Sequence, residues 1–104
     1  MTVYLLRHAD AGERDAWAGP DHLRPLSESG RQQADQLVDV LGDREIGKVI
    51  SSPYVRCVET VAPLAERLDL KVEEDDALAE GADIDDTVDL IRSMAGTNAV
   101  LCSV

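Results

Sequence analysis

Residues 48–68, KVISSPYVRCVETVAPLAERL, join a strand-like run directly to a helical one. The first part, KVISS, is short and rich in apolar and β-branched residues, which predicts a β-strand over residues 48–52. Beyond Pro53 the apolar residues recur at the spacing of an amphipathic helix, with an expected kink at Pro63. This stripe consists of Val58, Val61, Ala62, Ala65 and Leu68. A strand that leads at once into such a helix is the repeating unit of a parallel α/β sheet.

The same alternation extends from this stretch to both ends of the chain. Short apolar runs predict further strands at residues 2–7, 70–73 and 98–103. Two more helical stripes lie between the strands: Ala34, Leu37, Val38 and Leu41, and then Ile84, Val88, Ile91 and Ala95. Ser27 is the expected N-cap of the first of these helices. The order β-α-β-α-β-α-β predicts one domain over residues 1–104, with a three-layer αβα fold and a mainly parallel sheet.

The composition limits the classes of protein to which the chain can belong. Of its 104 residues 44% are hydrophobic and none is Phe, so one modest core of Leu, Val, Ile and Ala is expected. No apolar run approaches the roughly 20 residues of a membrane span, and no basic leader precedes the first strand, so a cytoplasmic protein without a membrane partner is expected. Cys57 and Cys102 have neither metal-ligand nor disulfide-framework spacing, which predicts reduced thiols. The net charge of −11 disfavours a nucleic-acid partner, because Lys and Arg bind such partners.

The charge is distributed unevenly along the chain. Residues 72–91 hold nine acids and no Lys or Arg, whereas residues 1–31 hold four arginines, five acids and both histidines. The acids of residues 83–89 suit the solvated N-terminus of a helix, and neither a metal site nor a cofactor is expected. Residues 8–26 and 75–83 predict loops, and a loop as long as the first is usually functional or disordered. The N-terminal third is therefore a candidate anion site, although scattered surface arginines would give the same count.

Chemically useful side chains follow the strands at what would be one edge of the sheet, because parallel strands place their carboxyl ends together. Arg7 and His8 end the first strand. Arg56 lies in the first turn of the helix after the second strand, and Glu80 follows the third. A neutral imidazole can attack phosphorus while guanidinium groups hold the phosphoryl oxygens, and a carboxyl group can protonate the leaving oxygen. Arg24, in the long loop, is a candidate contact to the phosphate or to a substrate carboxylate.

Three of these residues also have a purely structural interpretation. A histidine at a strand end is more often structural than catalytic. Arg56 can pair with Glu59, one helical turn further on. Arg24 can pair with Asp21 or Glu28 on the surface of the loop.

Four segments, taken in order, resemble a known family: LLRHADAG (5–12), RPLSESGRQQADQL (24–37), VISSPYVRCVETVAPLA (49–65) and LAEG (78–81). They are similar to the histidine phosphatase superfamily, also called phosphoglycerate mutase-like, and the resemblance extends over residues 3–103. It implies that His8 becomes phosphorylated and that Glu80 is the acid. Arg7 and Arg56 would bind the phosphoryl group. The Arg-Pro-Leu-Ser stretch is similar to the SixA-like phosphohistidine phosphatases and to the phosphatase domain fused behind Nudix domains in mycobacteria.

Two positions depart from the pattern of that family. Ala9 stands where the family usually has Gly, and Val104 follows Ser103 where the family's fourth strand ends in Ser-His-Gly. By the resemblance a further helix and strand would follow, so the C-terminal part of the domain is expected to be missing or altered. Impaired turnover and self-association through the uncovered C-terminal edge are the expected consequences.

The sequence leaves three functions open. The first is a metal-independent phosphohydrolase that works through phospho-His8 on a phosphohistidine protein or a small phosphate monoester. The second is a non-catalytic module that binds a phosphorylated ligand. The third is a receiver-like domain phosphorylated on an aspartate, for which Asp10, Asp75 and Asp76 are loosely placed. The third would leave the arginines and the histidine at the strand ends without a role.

Overall fold

Four parallel strands form a single sheet in the computed structural model, which describes residues 2–104. They are β1 (Val3–Arg7), β2 (Lys48–Ser51), β3 (Val72–Glu74) and β4 (Ala99–Ser103). The spatial order is β1-β4-β2-β3, so the last strand of the chain lies between the first and the second. Because all neighbours are parallel, the four carboxyl ends lie at one edge of the sheet, and the end of β4 is central there.

Three α-helices cover the two faces of the sheet: α1 (Glu28–Leu41), α2 (Val55–Arg67) and α3 (Ile84–Ser93). The core under α1 and α2 consists of Leu41, Val49, Cys57, Val61, Leu64, Ala65, Val100 and Cys102. The core on the side of α3 consists of Ile50, Leu78, Met94, Ala99 and Leu101. The predicted three-layer αβα architecture is thus confirmed. Within residues 2–104 no helix has the length and apolar character needed to cross a membrane.

The start of α1 fixes the loop that follows β1. Ser27 caps the helix, as predicted, and its Oγ accepts a hydrogen bond from the N–H of Gly30 at 3.1 Å. A Cβ atom on Gly30 would collide with the backbone carbonyl oxygen of Asp10. The same carbonyl accepts a hydrogen bond from the N–H of Ser27 at 3.0 Å. Glycine is therefore required where the helix meets the loop, and this contact holds the backbone two residues beyond His8.

The prediction for the third strand was wrong at its start, because β3 begins at Val72 rather than at residue 70. Leu70 still belongs to the end of α2, where its N–H donates to the carbonyl of Ala65 at 2.9 Å. Asp69 adopts a φ of 58°, the left-handed conformation that ends helices in this way. α2 itself runs unbroken through Pro63.

The prediction for the last helix was wrong at its end, because α3 stops at Ser93 and Ala95 lies beyond it. The predicted apolar stripe is also only partly covered, since Ile84 is 75% exposed. α3 contacts the sheet through its C-terminal half and the following Met94, which is buried. Leu5 of the edge strand β1, on the same face of the sheet, is 58% exposed. Apolar surface therefore lies open beside the edge strand β1, and the self-association expected through an uncovered C-terminal edge stays a prediction.

The two loops contain three short 3-10 turns that were not predicted. They are Arg14–Ala16, Asp21–Leu23 and Asp76–Leu78. The first two lie within residues 8–26 and place charged side chains over the carboxyl edge of the sheet. The third turn comes directly before Glu80.

Candidate active site

The carboxyl ends of β1, β2 and β4 are held together by backbone hydrogen bonds. The N–H of His8 donates to the carbonyl of Ser103 at 3.2 Å, and the N–H of Ser52 donates to that of Cys102 at 2.9 Å. The N–H of Val104 donates to the carbonyl of Leu78 at 3.2 Å, which attaches the segment before Glu80 to the same edge. The candidate site residues predicted from the sequence therefore extend from strand ends that are hydrogen-bonded to one another.

His8 is half-buried, and its ring is oriented by its own backbone. The Nδ1 atom lies 2.6 Å from the carbonyl oxygen of Ala9. In the neutral ring this places the proton on Nδ1 and leaves a lone pair on Nε2. Burial lowers the pKa of His8, and the positive charges of Arg56, Arg7 and Arg24 lower it further, against the opposing effect of the Ala9 hydrogen bond. The imidazole is therefore held in its neutral form, which is the nucleophilic one.

Arg56, in the first turn of α2, is 1% exposed. Its Nη1 donates to the backbone oxygen of Asp21 at 3.0 Å, and its Nη2 donates to Oδ2 of the same residue at 3.2 Å. Oε2 of Glu80 lies 4.0 Å from Nη2, and the ring of Tyr54 lies 4.9 Å from Cζ. The Nε atom is buried and has no hydrogen-bond partner within residues 2–104. An unpaired buried donor is costly, and an oxygen of a bound anion would satisfy it.

Thr60, one turn further along α2, links the His8 and Arg56 sides of the site. Its Oγ1 accepts from the N–H of Ala9 at 3.0 Å and donates to the carbonyl of Arg56 at 2.6 Å. Sequence reasoning assigned Thr60 no role. The signal that would have found it is its spacing of four residues from Arg56, which places both on one face of the helix.

A network of ion pairs crosses the site above Arg56; sequence reasoning offered its Arg24–Asp21 pair as an alternative and missed its other contacts. Oδ1 of Asp21 lies 3.4 Å from Nε of Arg14 and 3.2 Å from Nε of Arg24. Arg14 also donates from Nη2 to Oε1 of Glu80 at 3.1 Å. Partial desolvation would raise the pKa of the Asp21 carboxyl, but the hydrogen bond from Arg24 and the charges of Arg56 and Arg14 outweigh it and lower the pKa. Asp21 is therefore an ionised carboxylate.

The sequence profile of the histidine phosphatase superfamily (branch 1) matches residues 3–86. The chain belongs to this superfamily. Over 81 residues it is 38% identical to the 8-oxo-(d)GTP phosphatase of Mycolicibacterium smegmatis, an alignment that covers 78% of this chain and 25% of that protein. Over 88 residues it is 30% identical to a phosphohistidine phosphatase SixA homolog of Haemophilus influenzae, which covers 78% of this chain and 52% of that protein. The chain thus spans about a quarter and about half of these two relatives.

The fold of this histidine phosphatase chain is also found among solved structures. The structure of the protein histidine phosphatase SixA complexed with tungstate superposes with a TM-score of 0.82 at 26% identity, covering 99% of this chain and 68% of that chain. The resemblance drawn from the sequence and the αβα architecture are therefore both confirmed. These findings also exclude the receiver-like alternative. The carboxylate of Asp75 instead caps the third 3-10 turn by accepting a hydrogen bond from the N–H of Ala77 at 2.9 Å.

The predicted site residues of this histidine phosphatase chain are divided between two neighbouring cavities rather than brought together in one, and Arg56 and Arg24 line neither of the two. Arg7 and Glu80 line a cavity of about 440 Å³ together with Ser103 and Val104. His8 lines a second cavity of about 240 Å³, on the side of α1, and Arg7 borders this one too. The division arises because successive residues at the end of a strand point to opposite faces of the sheet.

Arg24 makes the structural pairing that was its alternative interpretation. Arg24 is buried, and its Nε donates to Oδ1 of Asp21. Its Nη1 donates to the carbonyl oxygens of Ala11 and Gly12 at 2.8 and 2.9 Å. These bonds hold the loop that follows His8. A direct contact between Arg24 and substrate stays a prediction.

Proposed function

We propose that this chain carries the phosphoryl-accepting site of a metal-independent histidine phosphatase, with His8 as the nucleophile. The observation that carries the proposal is the buried Arg56 guanidinium, whose Nε lacks a partner while its charge helps to keep His8 neutral. A neutral imidazole in the electric field of a cation that has a free donor is suited to phosphoryl transfer to histidine.

The reaction has two steps. In the first, Nε2 of His8 attacks phosphorus, the bond from phosphorus to the leaving oxygen breaks, and Glu80 gives that oxygen its proton. Arg7 and Arg56 hold the equatorial oxygens and offset the charge that develops on them. In the second, water attacks the phosphorus of phospho-His8, the N–P bond breaks, and Glu80 takes up the proton of the water. Phosphate leaves, and the imidazole is regenerated.

The substrates that we propose are a phosphohistidine protein or a small phosphate monoester. The names of the two relatives support these classes, since one is an 8-oxo-(d)GTP phosphatase and the other a phosphohistidine phosphatase homolog. A second candidate function, binding of a phosphorylated ligand without turnover, is favoured by Val104. This apolar residue lines the cavity of Arg7 and Glu80 and offers no side-chain donor to a phosphoryl oxygen.

Trapping of the covalent intermediate tests the proposal. The chain is incubated with p-nitrophenyl phosphate in EDTA, and a phosphate-sized mass increase that is labile to acid and stable to base is expected. His8→Asn should abolish the increase. His22→Asn is the matched control, because it removes the only other histidine, and it should retain the increase. Tungstate binding without any labelling would favour the binding module, and labelling that survives in His8→Asn would refute the assignment of the nucleophile.

A further inference from the structure

Asp21 is the residue on which the cations of the site converge. Its Oδ1 accepts from Nε of Arg24 and lies close to Nε of Arg14, while its Oδ2 and backbone oxygen accept from the two Nη atoms of Arg56. We propose that Asp21 is a positioning residue for phosphoryl binding, which acts by fixing the direction of the Arg56 guanidinium. This inference rests on the proposed function and adds to it a residue that does not itself touch the substrate.

The shape of the guanidinium group explains how one residue can orient it. The group is planar and rigid, so hydrogen bonds from both Nη atoms to a single partner fix its plane and its rotation. Asp21 provides both acceptors, at 3.0 and 3.2 Å, and Tyr54 stacks under Cζ at 4.9 Å. The orientation of the Arg56 Nε–H bond, which is unpaired within the described residues 2–104, is thereby fixed as well. An incoming oxyanion meets a donor that is already oriented, which is what makes such donors effective.

The surroundings of Asp21 differ from those of Glu80, the other carboxylate near Arg56. Asp21 contacts three arginines and its side chain is 28% exposed, whereas the side chain of Glu80 is 45% exposed and lies 4.0 Å from Arg56. A carboxylate that stays ionised offsets the buried charge of Arg56 whether or not a phosphoryl group is bound. Asp21 therefore keeps the phosphate site assembled in the absence of substrate.

Tungstate titrations of the 104-residue chain, followed by NMR, test this assignment. Asp21→Asn removes the charge while the side chain keeps its size, so Arg56 loses its ion pair. The dissociation constant for tungstate is expected to rise about tenfold, the effect of weakening a hydrogen bond to a charged group. The Arg56 Nε–H resonance is expected to move or broaden even before tungstate is added. Asp21→Glu keeps the charge and should recover most of the lost affinity.

A control variant separates this effect from a general change of charge. Asp43 pairs with Arg67 at 3.0 Å, beyond the end of α1 and away from the carboxyl edge. Asp43→Asn should therefore leave tungstate binding unchanged. Thermal unfolding of each variant shows that it is folded at the temperature of the titration.

Each result supports or overturns the inference. Equal or tighter tungstate binding by Asp21→Asn overturns it, and so does weaker binding with an unchanged Arg56 resonance, because Asp21 would then act through another group. A Glu variant no better than the Asn variant shows that the charge at position 21 is not what orients Arg56. If the unaltered chain binds no tungstate, the proposed function fails, and this inference fails with it.

Discussion

Replacing Thr60 by valine removes a single oxygen atom that joins the two halves of the site. The Oγ1 atom accepts from the N–H of Ala9 and donates to the carbonyl of Arg56, and the side chain is 4% exposed. Valine has nearly the same shape, so Thr60→Val creates no cavity. What changes is that two hydrogen bonds disappear and the N–H of Ala9 loses its partner.

The size of the effect follows from these two bonds. Each contributes about 1 kcal/mol to the free energy of unfolding, and leaving a buried donor unpaired adds to the loss, so a destabilisation of about 2–3 kcal/mol is expected. For a domain of this length that corresponds to a fall in Tm of about 10 °C or somewhat more. The peptide of Ala9 also carries the carbonyl that orients His8, so phosphorylation of His8 should slow about tenfold through loss of its alignment.

The assay is a thermal melt followed by circular dichroism, together with the rate of His8 labelling. Thr60→Ser keeps the hydroxyl and should recover most of both properties. Thr97→Val is the matched control, because the hydroxyl of Thr97 makes no hydrogen bond within residues 2–104 and lies between α3 and β4, at the other edge of the sheet. A Thr60→Val melt that coincides with that of Thr97→Val would refute the reasoning, since the two oxygen contacts would then contribute nothing.

Three further predictions concern pH, the cavity and the sheet edge. The C2 proton of His8 should titrate in NMR with a pKa below 6.5. Because this pKa is lowered only in the folded state, the free energy of unfolding should fall as the pH drops below 6.5. His8→Asn should remove this part of the pH dependence. Val104→His places a donor in the cavity of Arg7 and Glu80 and should tighten tungstate binding at least about tenfold in a titration. An unchanged affinity would exclude position 104 from the phosphate site. Sedimentation velocity should show concentration-dependent association that Leu5→Lys abolishes, because a lysine on an edge strand blocks strand pairing; a chain that sediments as a monomer at every concentration would contradict this.

The order of the strands and helices was predictable from the sequence, because the spacing of the apolar residues distinguishes a strand from a helix. The segment KVISS and the helical stripe that follows it differ in the spacing of their apolar residues, and this difference can be seen within a few neighbouring residues. The start of β3 was not predictable in the same way. It depends on Asp69 adopting a left-handed conformation, which is uncommon outside glycine and leaves Leu70 bonded to α2. The exposure of Ile84 was equally hidden, because periodicity shows which face of a helix is apolar but not what covers it.

The site was predictable only where the strand ends determine it. His8, Arg56 and Glu80 lie at the carboxyl edge because parallel strands place their ends there, and this rule needs no knowledge of the loops. Asp21 and Arg14 lie in a loop without periodicity, where charged residues usually indicate nothing more than solvent exposure. The pairs Asp21–Arg56 and Arg14–Glu80 span 35 and 66 residues of the sequence, and no local pattern connects such pairs.

The contacts of Glu80 suggest how a phosphoryl group reaches Arg56, which is already paired with Asp21. Arg56 is held by Asp21 at 3.2 Å, whereas its contact with Glu80 is 4.0 Å long and joins a buried cation to a side chain that is 45% exposed. The bond from Arg14 to Glu80 is exposed on both sides, and exposed pairs of this kind are worth only about 0–1 kcal/mol. We therefore expect an entering phosphoryl group to exchange with Glu80 more easily than with Asp21. Under the proposed mechanism, this exchange releases the Glu80 carboxyl from Arg56, so that Glu80 can deliver its proton to the leaving oxygen.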